Sequence, residues 1–369
     1  MEMVNKKFSI VTTTINNPTL LDDYAKDCES SNYRNISFVV VGDKKTDKDA
    51  EGFVKSLSKK YPFEFKYFNP DDQDLFLKDY PKLLKFLPWN CVQRRNVGML
   101  YAYDQGADVI ITIDDDNFLA EPGYIEGHKN VGSNDKIPML KTPSSWVNIC
   151  DYLEDKNKRE FFARGYPISE RKDSRVIKEE NIEEKKIVVN GGLWLGDPDI
   201  DAITRLTNPI DVTKYIRNDN FALDNDMWCP FNSQNTAIAR EAIPSYFLSP
   251  HIGRFDDIWG SYFLKRVADH FDHAVSFGFP LVKQERNDHN LWHDLDLELF
   301  GNQNTETFVG WLRSIQPIGE TYYDASLNLL NELNKKLNEE HQLNDDEKNA
   351  FLKFFEGYKV WLSCFERNK

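Results

Sequence analysis

Asp108-Val-Ile-Ile-Thr-Ile113, followed at once by Asp114-Asp115-Asp116, is the stretch on which the reading of this chain turns. A short continuous apolar run is what a strand looks like when a parallel sheet buries it on both faces. Three adjacent carboxylates directly after it would repel one another strongly in a dry setting. They must emerge into a polar crevice or meet a cation. Mg²⁺ and Mn²⁺ favour carboxylate oxygens together with substrate phosphates. Extended alternation would point Asp114 and Asp116 to one side and Asp115 to the other. A solvated turn or a helix cap before Asn117 is the plainer alternative.

The residues on the amino-terminal side decide between these. Phe8-Ser-Ile-Val-Thr-Thr-Thr14 reads as a first buried strand, and Asn17-Pro18 as a helix start with Leu20, Leu21 and Tyr24 on one face. Ile36-Ser-Phe-Val-Val-Val41 is a second apolar strand ending in Gly42-Asp43. A helix from Asp47 to Tyr61, a strand from Phe63 to Phe68 and a helix from Val92 to Asp104, closed by Gly106, lead to the Asp108 strand. Alternation of this kind predicts an α/β fold with a doubly wound parallel sheet, whose ligands sit outside the carboxyl ends of the strands. Thr12, Thr13, Thr14, Asp43 and the Asp triplet should therefore face one crevice.

The rest of the chain is less regular. Asp151–Glu160 and Arg171–Lys186 read as solvated charged segments. Ile187-Val-Val-Asn-Gly-Gly-Leu-Trp-Leu195 reads as a strand with a close backbone approach at Gly191-Gly192. Past Gly301 the pattern turns helical over Thr305–Ile315, Tyr322–Glu339 and Asp345–Phe365, with heptad-like Leu and Phe spacing in the last two. This predicts a main domain over 1–300 and a helical extension over 301–369, whose amphipathic faces suggest a homo-oligomer.

At 40% hydrophobic and 13% aromatic, the 369 residues can build a packed core. A net charge of −14 argues against nucleic-acid binding, which needs Lys and Arg to neutralise phosphates. Five cysteines with no Cys-x-x-Cys spacing read as reduced thiols in a cytoplasmic setting, with peripheral membrane contact left open. Neither a signal peptide nor a membrane-spanning stretch is evident. No P-loop or dinucleotide Gly-x-Gly-x-x-Gly pattern is present, which disfavours flavin and NAD enzymes.

Four further clusters carry candidate chemistry. Arg94-Arg95 in the helix after Trp89-Asn90 can pair with a diphosphate or a base edge, or form a solvated helix face. Phe161-Phe-Ala-Arg164-Gly-Tyr-Pro-Ile-Ser-Glu-Arg171 holds two Arg at the ends of a Gly/Pro loop, suited to an anionic leaving group or to surface ion pairs. Gly253-Arg-Phe-Asp256-Asp257-Ile-Trp259 offers a carboxylate as base or sugar ligand, with Trp259 as a stacking wall; the aspartates can equally cap a helix. Arg286-Asn-Asp-His289 offers His289 as a further cation ligand.

Taken in order, Ile113-Asp-Asp-Asp116, Arg164-Gly-Tyr-Pro-x-Ser-x-Arg171, Gly192-Leu-Trp-Leu195, Asn235-Thr-Ala and Gly253-Arg-Phe-Asp-Asp-Ile-Trp259 resemble glycosyltransferase family 75 over about residues 8 to 300. That family includes the plant reversibly glycosylated polypeptides, which are UDP-arabinopyranose mutases, and the STELLO proteins. Thr12-Thr-Thr-Ile-Asn-Asn-Pro-Thr19, Val41-Gly-Asp-Lys-Lys-Thr46 and Glu285-Arg-Asn-x-His289-Asn look closer to the STELLO-like branch.

The resemblance implies a GT-A fold, a UDP-sugar, and Mn²⁺ or Mg²⁺. It implies that Arg164 matches the reversibly glycosylated Arg of the mutase branch and Arg171 the second required Arg. This chain departs from the plant mutases at Asn117, where they carry Cys, and over Asn232-Ser-Gln-Asn235, where they carry Cys-Gly-Met-Asn. The expected site is then Asp114, Asp116 and His289 on the metal; Thr12, Thr13, Asp43, Arg94, Arg95 and Asp115 on the nucleotide; and Arg164, Arg171, Asp256 and Asp257 in catalysis. The expected activity is metal-dependent glycosyl transfer from a UDP-sugar to an unidentified glycan or other acceptor, in surface glycan synthesis of bacterial type. A UDP-sugar pyranose/furanose mutase and a non-catalytic sugar-nucleotide scaffold are the alternatives.

Overall fold

The structure, a computed structural model, describes residues 6–31, 33–173, 179–286 and 290–366. In chain order its elements are β1 (Phe8–Thr13), α1 (Leu20–Ser30), β2 (Ile36–Val41), α2 (Ala50–Lys60), β3 (Glu64–Phe68), α3 (Pro70–Leu77), α4 (Pro81–Phe86), α5 (Arg95–Asp104), β4 (Val109–Ile113) and β5 (Asn117–Leu119). These are followed by α6 (Tyr124–His128), β6 (Asn134–Lys141), β7 (Leu153–Asp155), β8 (Glu179–Gly196), α7 (Ala202–Thr207), β9 (Val212–Tyr215), β10 (Phe221–Leu223) and β11 (Asn235–Ala239). The last are α8 (Asp256–His270), β12 (Ala274–Gln284), α9 (Leu291–Ser314), α10 (Tyr322–Glu339) and α11 (Asp345–Leu362).

The sheet begins β3-β2-β1-β4, and these four strands are parallel. The chain winds outward from β1 to β3 and then returns to place β4 on the other side of β1. That reversal leaves a crevice at the carboxyl ends of β1 and β4. β11 continues the sheet antiparallel to β4, pairing Asn235 with Ile113, and β8 pairs antiparallel with β11. The parallel α/β half expected from the apolar runs is therefore present, and a mixed sheet extends it.

Helix α5 packs on the face of this parallel half, against β1 and β2. A Cβ on Gly98 would lie 2.5 Å from Val11 Cγ1 and 2.9 Å from Val41 Cγ2, so only glycine allows α5 to sit this low on β1 and β2. The helix leads into β4, so its first turn stands over the carboxyl ends of the strands. Arg94 and Arg95 occupy that turn.

Three expectations are corrected by the fold. Glu179–Lys186, read as a solvated segment, is the charged first half of β8 and pairs antiparallel with β6 from Lys141↔Glu179 to Asn134↔Lys186. Its charges are solvated: Glu179, Glu180, Asn181 and Ile182 are exposed at consecutive positions, so both faces of the strand meet water there. Asp151–Glu160 contains a 3₁₀ turn and β7, pinned by buried Asp155 against Arg159. The boundary near residue 300 falls inside α9, which runs unbroken from Leu291 to Ser314.

The C-terminal helices belong to the same core. Trp259, in α8, is fully buried and stacks on Phe308 at 4.5 Å and Phe351 at 5.0 Å between ring centroids; its Nε1 donates to Thr305 Oγ1 at 3.0 Å. It is a core residue, not a stacking wall for a sugar. Leu329, Leu330 and Leu333 of α10, and Phe354, Tyr358 and Trp361 of α11, are also buried within the chain. The apolar faces that suggested self-association are thus spent internally. Among the described residues, no helix is long and apolar enough to cross a membrane, and all five cysteines are free.

Candidate functional site

A cavity of about 540 Å³ opens at the carboxyl ends of β1 and β4. Its floor is the Asp triplet. The chain turns immediately after β4, with Asn117 N donating to Asp114 O at 3.4 Å. This turn replaces the extended alternation expected there, so all three carboxylates border the cavity.

Asp114 Oδ1 accepts from Arg95 Nη2 at 2.5 Å. The same guanidinium donates to Thr13 Oγ1 at 3.1 Å and to Ser233 O and Oγ at 2.9 Å. Arg95 is thereby a buried clamp holding β1, β4 and the residues before β11 in register. Asp114 remains one-third exposed toward the cavity. Asp115 accepts from Thr14 Oγ1 at 2.6 Å, and burial, the largest influence on it, raises its pKa. Asp116 takes a long contact from Asn117 Nδ2 at 3.4 Å, and Gln284 and Arg286 favour its charged form. Burial, then the charge of Asp114, pushes the Asp116 carboxyl up to about 6.

The other nucleotide-side expectations divide. Asp43 lines the cavity; its two oxygens accept from Lys44 N at 2.6 Å and Cys91 N at 3.2 Å. Arg94 also lines it, but its guanidinium lies 3.6 Å over the Trp89 ring and its Nε donates to Gln73 Oε1 at 2.6 Å. Thr12 does not line the cavity. Its side chain is buried in the sheet and its Oγ1 donates to Thr13 O at 3.2 Å, because strand alternation gives the open face to Thr13.

The opposite wall is built around Arg164. Its Nε and Nη2 make a two-pronged contact with Asp199, each at 2.9 Å. Nη1 and Nη2 both donate to Asp257 Oδ1 at 3.3 Å, and Nη1 also donates to the Arg254 carbonyl. All five guanidinium N–H donors are directed by protein acceptors. Burial alone would raise the Asp199 carboxyl; the Arg164 guanidinium more than reverses this and holds it well below the usual range. Gly165 allows the loop to close, since it has φ +86° and a Cβ there would lie 2.2 Å from Ile258 Cγ2.

Asp256 and Asp257 open α8, as a capping reading would have them, yet both also line the cavity. Asp257 Oδ2 accepts from Ser233 N at 2.9 Å. Asp256 Oδ2 accepts from Gln93 Nε2 at 2.8 Å. Burial first, then the neighbouring Asp257 charge, pushes Asp256 up to about 7.

Arg171 is not brought to the cavity. It donates to Asp201 Oδ2 at 2.6 Å and to Tyr166 O at 3.1 Å, while Asp201 also caps α7 by accepting from Thr204 N at 2.8 Å. Its partner carboxylate holds it on the outer side of the loop. His289 lies outside the described residues.

Asp199, Ser233, Gln234 and Gln284 line the cavity without a role assigned from the sequence, as does Arg286, which the sequence offered only as the start of the His289 cluster. One signal was available for Asp199: Gly196-Asp-Pro-Asp-Ile-Asp201 alternates three aspartates directly after a strand, two of which take the two loop arginines. Asn117 and Asn232, where the chain departs from the plant mutase pattern, lie just behind the wall. Asn117 contacts Asp116 and accepts from Gln234 Nε2 at 3.1 Å; Asn232 Nδ2 donates to Asp199 Oδ2 at 2.8 Å.

Among the described residues, no three His, Cys, Asp or Glu side chains converge to enclose a metal ion. The donor set nevertheless suits a hard cation that shares its coordination with phosphate. It is all oxygen, it includes a half-buried carboxylate destabilised by its neighbour, and it lines an open cavity.

A family model described as "Reversibly glycosylated polypeptide" matches residues 8–369. The chain is 26% identical over 262 residues to the probable UDP-arabinopyranose mutase 1 of Pisum sativum, covering 69% of this chain and 64% of that protein. It is 27% identical over 257 residues to UDP-arabinopyranose mutase 3 of Arabidopsis thaliana, covering 66% and 61%. The match thus spans less than two thirds of the length of these relatives. Among solved structures, glucosyl-3-phosphoglycerate synthase from Mycobacterium tuberculosis in complex with Mn²⁺, UDP and phosphoglyceric acid aligns at 11% identity and TM-score 0.41, over 83% of this chain and 79% of that one. S. aureus TarS 1-349 in complex with UDP aligns at 10% identity and TM-score 0.39, over 98% and 92%. With a family model matched from the first residue of β1 to the last residue of the chain, the protein belongs to the reversibly glycosylated polypeptide family.

Proposed function

We propose that the protein is a divalent-cation-dependent enzyme acting on a UDP-sugar, and that its reaction is exchange between the pyranose and furanose forms of that sugar. The observation that supports this reading is that Arg164 and the Asp114–Asp116 triplet border the same cavity. About 540 Å³ is within the range of small-ligand sites.

In this reading Asp116 and Asp114 would hold Mn²⁺ or Mg²⁺. The bound cation supplies charge neutralisation to the diphosphate. Arg95 fixes Asp114, and Thr13, Asp43 and Asp115 line the uridine end. Arg94, clamped on Trp89, shapes that end and does not reach the phosphates. Arg164 faces the anomeric carbon, held flat by Asp199 and Asp257. Ring exchange needs a proton moved between the ring oxygen and a sugar hydroxyl. A carboxyl near 7, such as Asp256, can both give and take it at neutral pH.

The named relatives are mutases, which favours ring exchange over the surface-glycan synthesis expected from the sequence. Transfer to a separate acceptor is the second reading. It is favoured by the substitutions at Asn117 and Asn232, which touch Asp116 and Asp199 and so retune both walls. The experiment is incubation with a panel of UDP-sugars and Mn²⁺, without acceptor, followed by proton NMR. A new ring form with no net release of UDP is the expected result. UDP released only when an acceptor is added selects transfer, and binding without turnover of any sugar leaves a scaffold.

A further inference from the structure

Cleavage or migration at a sugar–diphosphate bond places negative charge on the diphosphate, and one cation held by Asp116 neutralises only part of it. The other cationic side chains of the cavity are mostly committed. Arg95 is spent on Asp114, Thr13 and Ser233, and Arg164 on Asp199, Asp257 and a carbonyl. Arg254 lies between Glu298, at 3.0 Å, and Asp294, at 3.4 Å. Arg94 is stacked on Trp89. Lys45 stands exposed at the far rim, beyond β2.

Arg286 differs from these. It stands two residues past the end of β12, and that end is locked to the Asp triplet: Gln284 pairs with Asn117, and Glu285 N donates to Asp116 O at 3.0 Å. Arg286 is thereby carried by the backbone to the side of Asp116. Its Nη2 donates to the neutral Gln284 Oε1 at 3.0 Å, and Gln284 is in turn fixed by Gln234 Nε2 at 3.1 Å. Its Nε lies 3.2 Å from Asp197, which is already paired with Arg205. A tethered arginine, sharing its carboxylate with a second arginine and bordering the cavity beside a cation-ready aspartate, is suited to a doubly charged oxyanion.

The geometry points to Arg286 as the side chain that takes the diphosphate of the UDP-sugar alongside the cation at Asp116. This rests on the UDP-sugar reading given above. In that role Arg286 contacts non-bridging phosphate oxygens, and the planar guanidinium gives two donors at once where a lysine would give a point charge.

The test compares UDP with uridine, in the presence of Mn²⁺, on the wild-type protein and on Arg286→Ala and Arg286→Lys, by calorimetry with uridine measured in competition. In both variants Asp197 keeps Arg205 and Asp199 keeps Arg164 and Asn232, and thermal unfolding checks that the fold is retained. The expected result is that Arg286→Ala weakens UDP by about tenfold or more, leaves uridine unchanged, and is partly rescued by Arg286→Lys. Unchanged UDP affinity in Arg286→Ala overturns the role, and so does an equal loss for UDP and uridine. A wild-type protein that binds UDP no better with Mn²⁺ than without it overturns the reading of the whole site instead.

Discussion

Asp116 and Asp256 are carboxylates whose proton affinity is raised by burial and by an adjacent aspartate, yet they ask for different partners. Asp116 lines the cavity beside the residue that β12 delivers, and in the proposed reading a cation would relieve its repulsion. Asp256 has a donor in Gln93 and resolves its repulsion by holding a proton. The sign of the stability effect follows. A carboxyl raised from its ordinary 3.8 to about 7 in the fold contributes stability that is complete below pH 3.8 and lost as pH rises to about 7. Asp256→Asn keeps an acceptor for Gln93 and removes that loss. Chemical denaturation should show the variant more stable than wild type at pH 8, by up to ~4 kcal/mol, with no gain near pH 3.5. Its turnover should fall, because the proton carrier is gone. A gain over wild type no larger at pH 8 than at pH 3.5 would contradict the assignment.

Arg164 makes a second residue-scale case. Replacement by Ala would strand Asp199 and Asp257, at a cost of about 3–5 kcal/mol, so Arg164→Lys is the cleaner probe. Lysine keeps the charge but cannot satisfy a two-pronged carboxylate and a carbonyl together. UDP affinity should stay within about twofold while turnover drops on the order of a hundredfold. Retained turnover would leave the guanidinium with a purely structural part.

At the scale of elements, what was legible and what was not have physical causes. β1, β2 and β4 are apolar on both faces, so neighbours on each side are implied by their own residues, and the crevice at their ends follows. The charged half of β8 carries no such mark, because its pairing with β6 is made by backbone groups that do not depend on side-chain type. Trp259 follows two cavity aspartates in sequence, which makes it look like part of the site. Two positions past Asp257, it points to the side of α8 away from that carboxylate, where Phe308 and Phe351 cover it. Trp259→Ala should therefore destabilise the fold by about 3–5 kcal/mol in urea unfolding, with UDP affinity unchanged in the folded fraction. Truncation after residue 300 would cut α9 and uncover this cluster, and should give a chain with no cooperative unfolding transition.

At the scale of the whole molecule, the cavity is a meeting of distant segments. The Asp triplet and Arg95 are local to the parallel half and were found from it. Which residues stand opposite was set by strands and loops that a sequence pattern does not align. The loop motif contained two arginines of equal promise, and only the structure separates them: Asp199 holds Arg164 at the cavity, while Asp201 holds Arg171 outside it. The same is true of Arg286, whose place beside Asp116 depends on the pairing of β12 with β5.

The central claim is a cation bridging Asp116 to the diphosphate, and electron–nuclear double resonance on Mn²⁺ reads that bridge directly. With the protein and UDP, the account predicts a ³¹P hyperfine coupling on protein-bound Mn²⁺ that disappears in Asp116→Ala along with the Mn²⁺-dependent gain in UDP affinity. UDP bound to the wild type with no phosphorus coupling, or an Asp116→Ala spectrum and affinity indistinguishable from wild type, would contradict it.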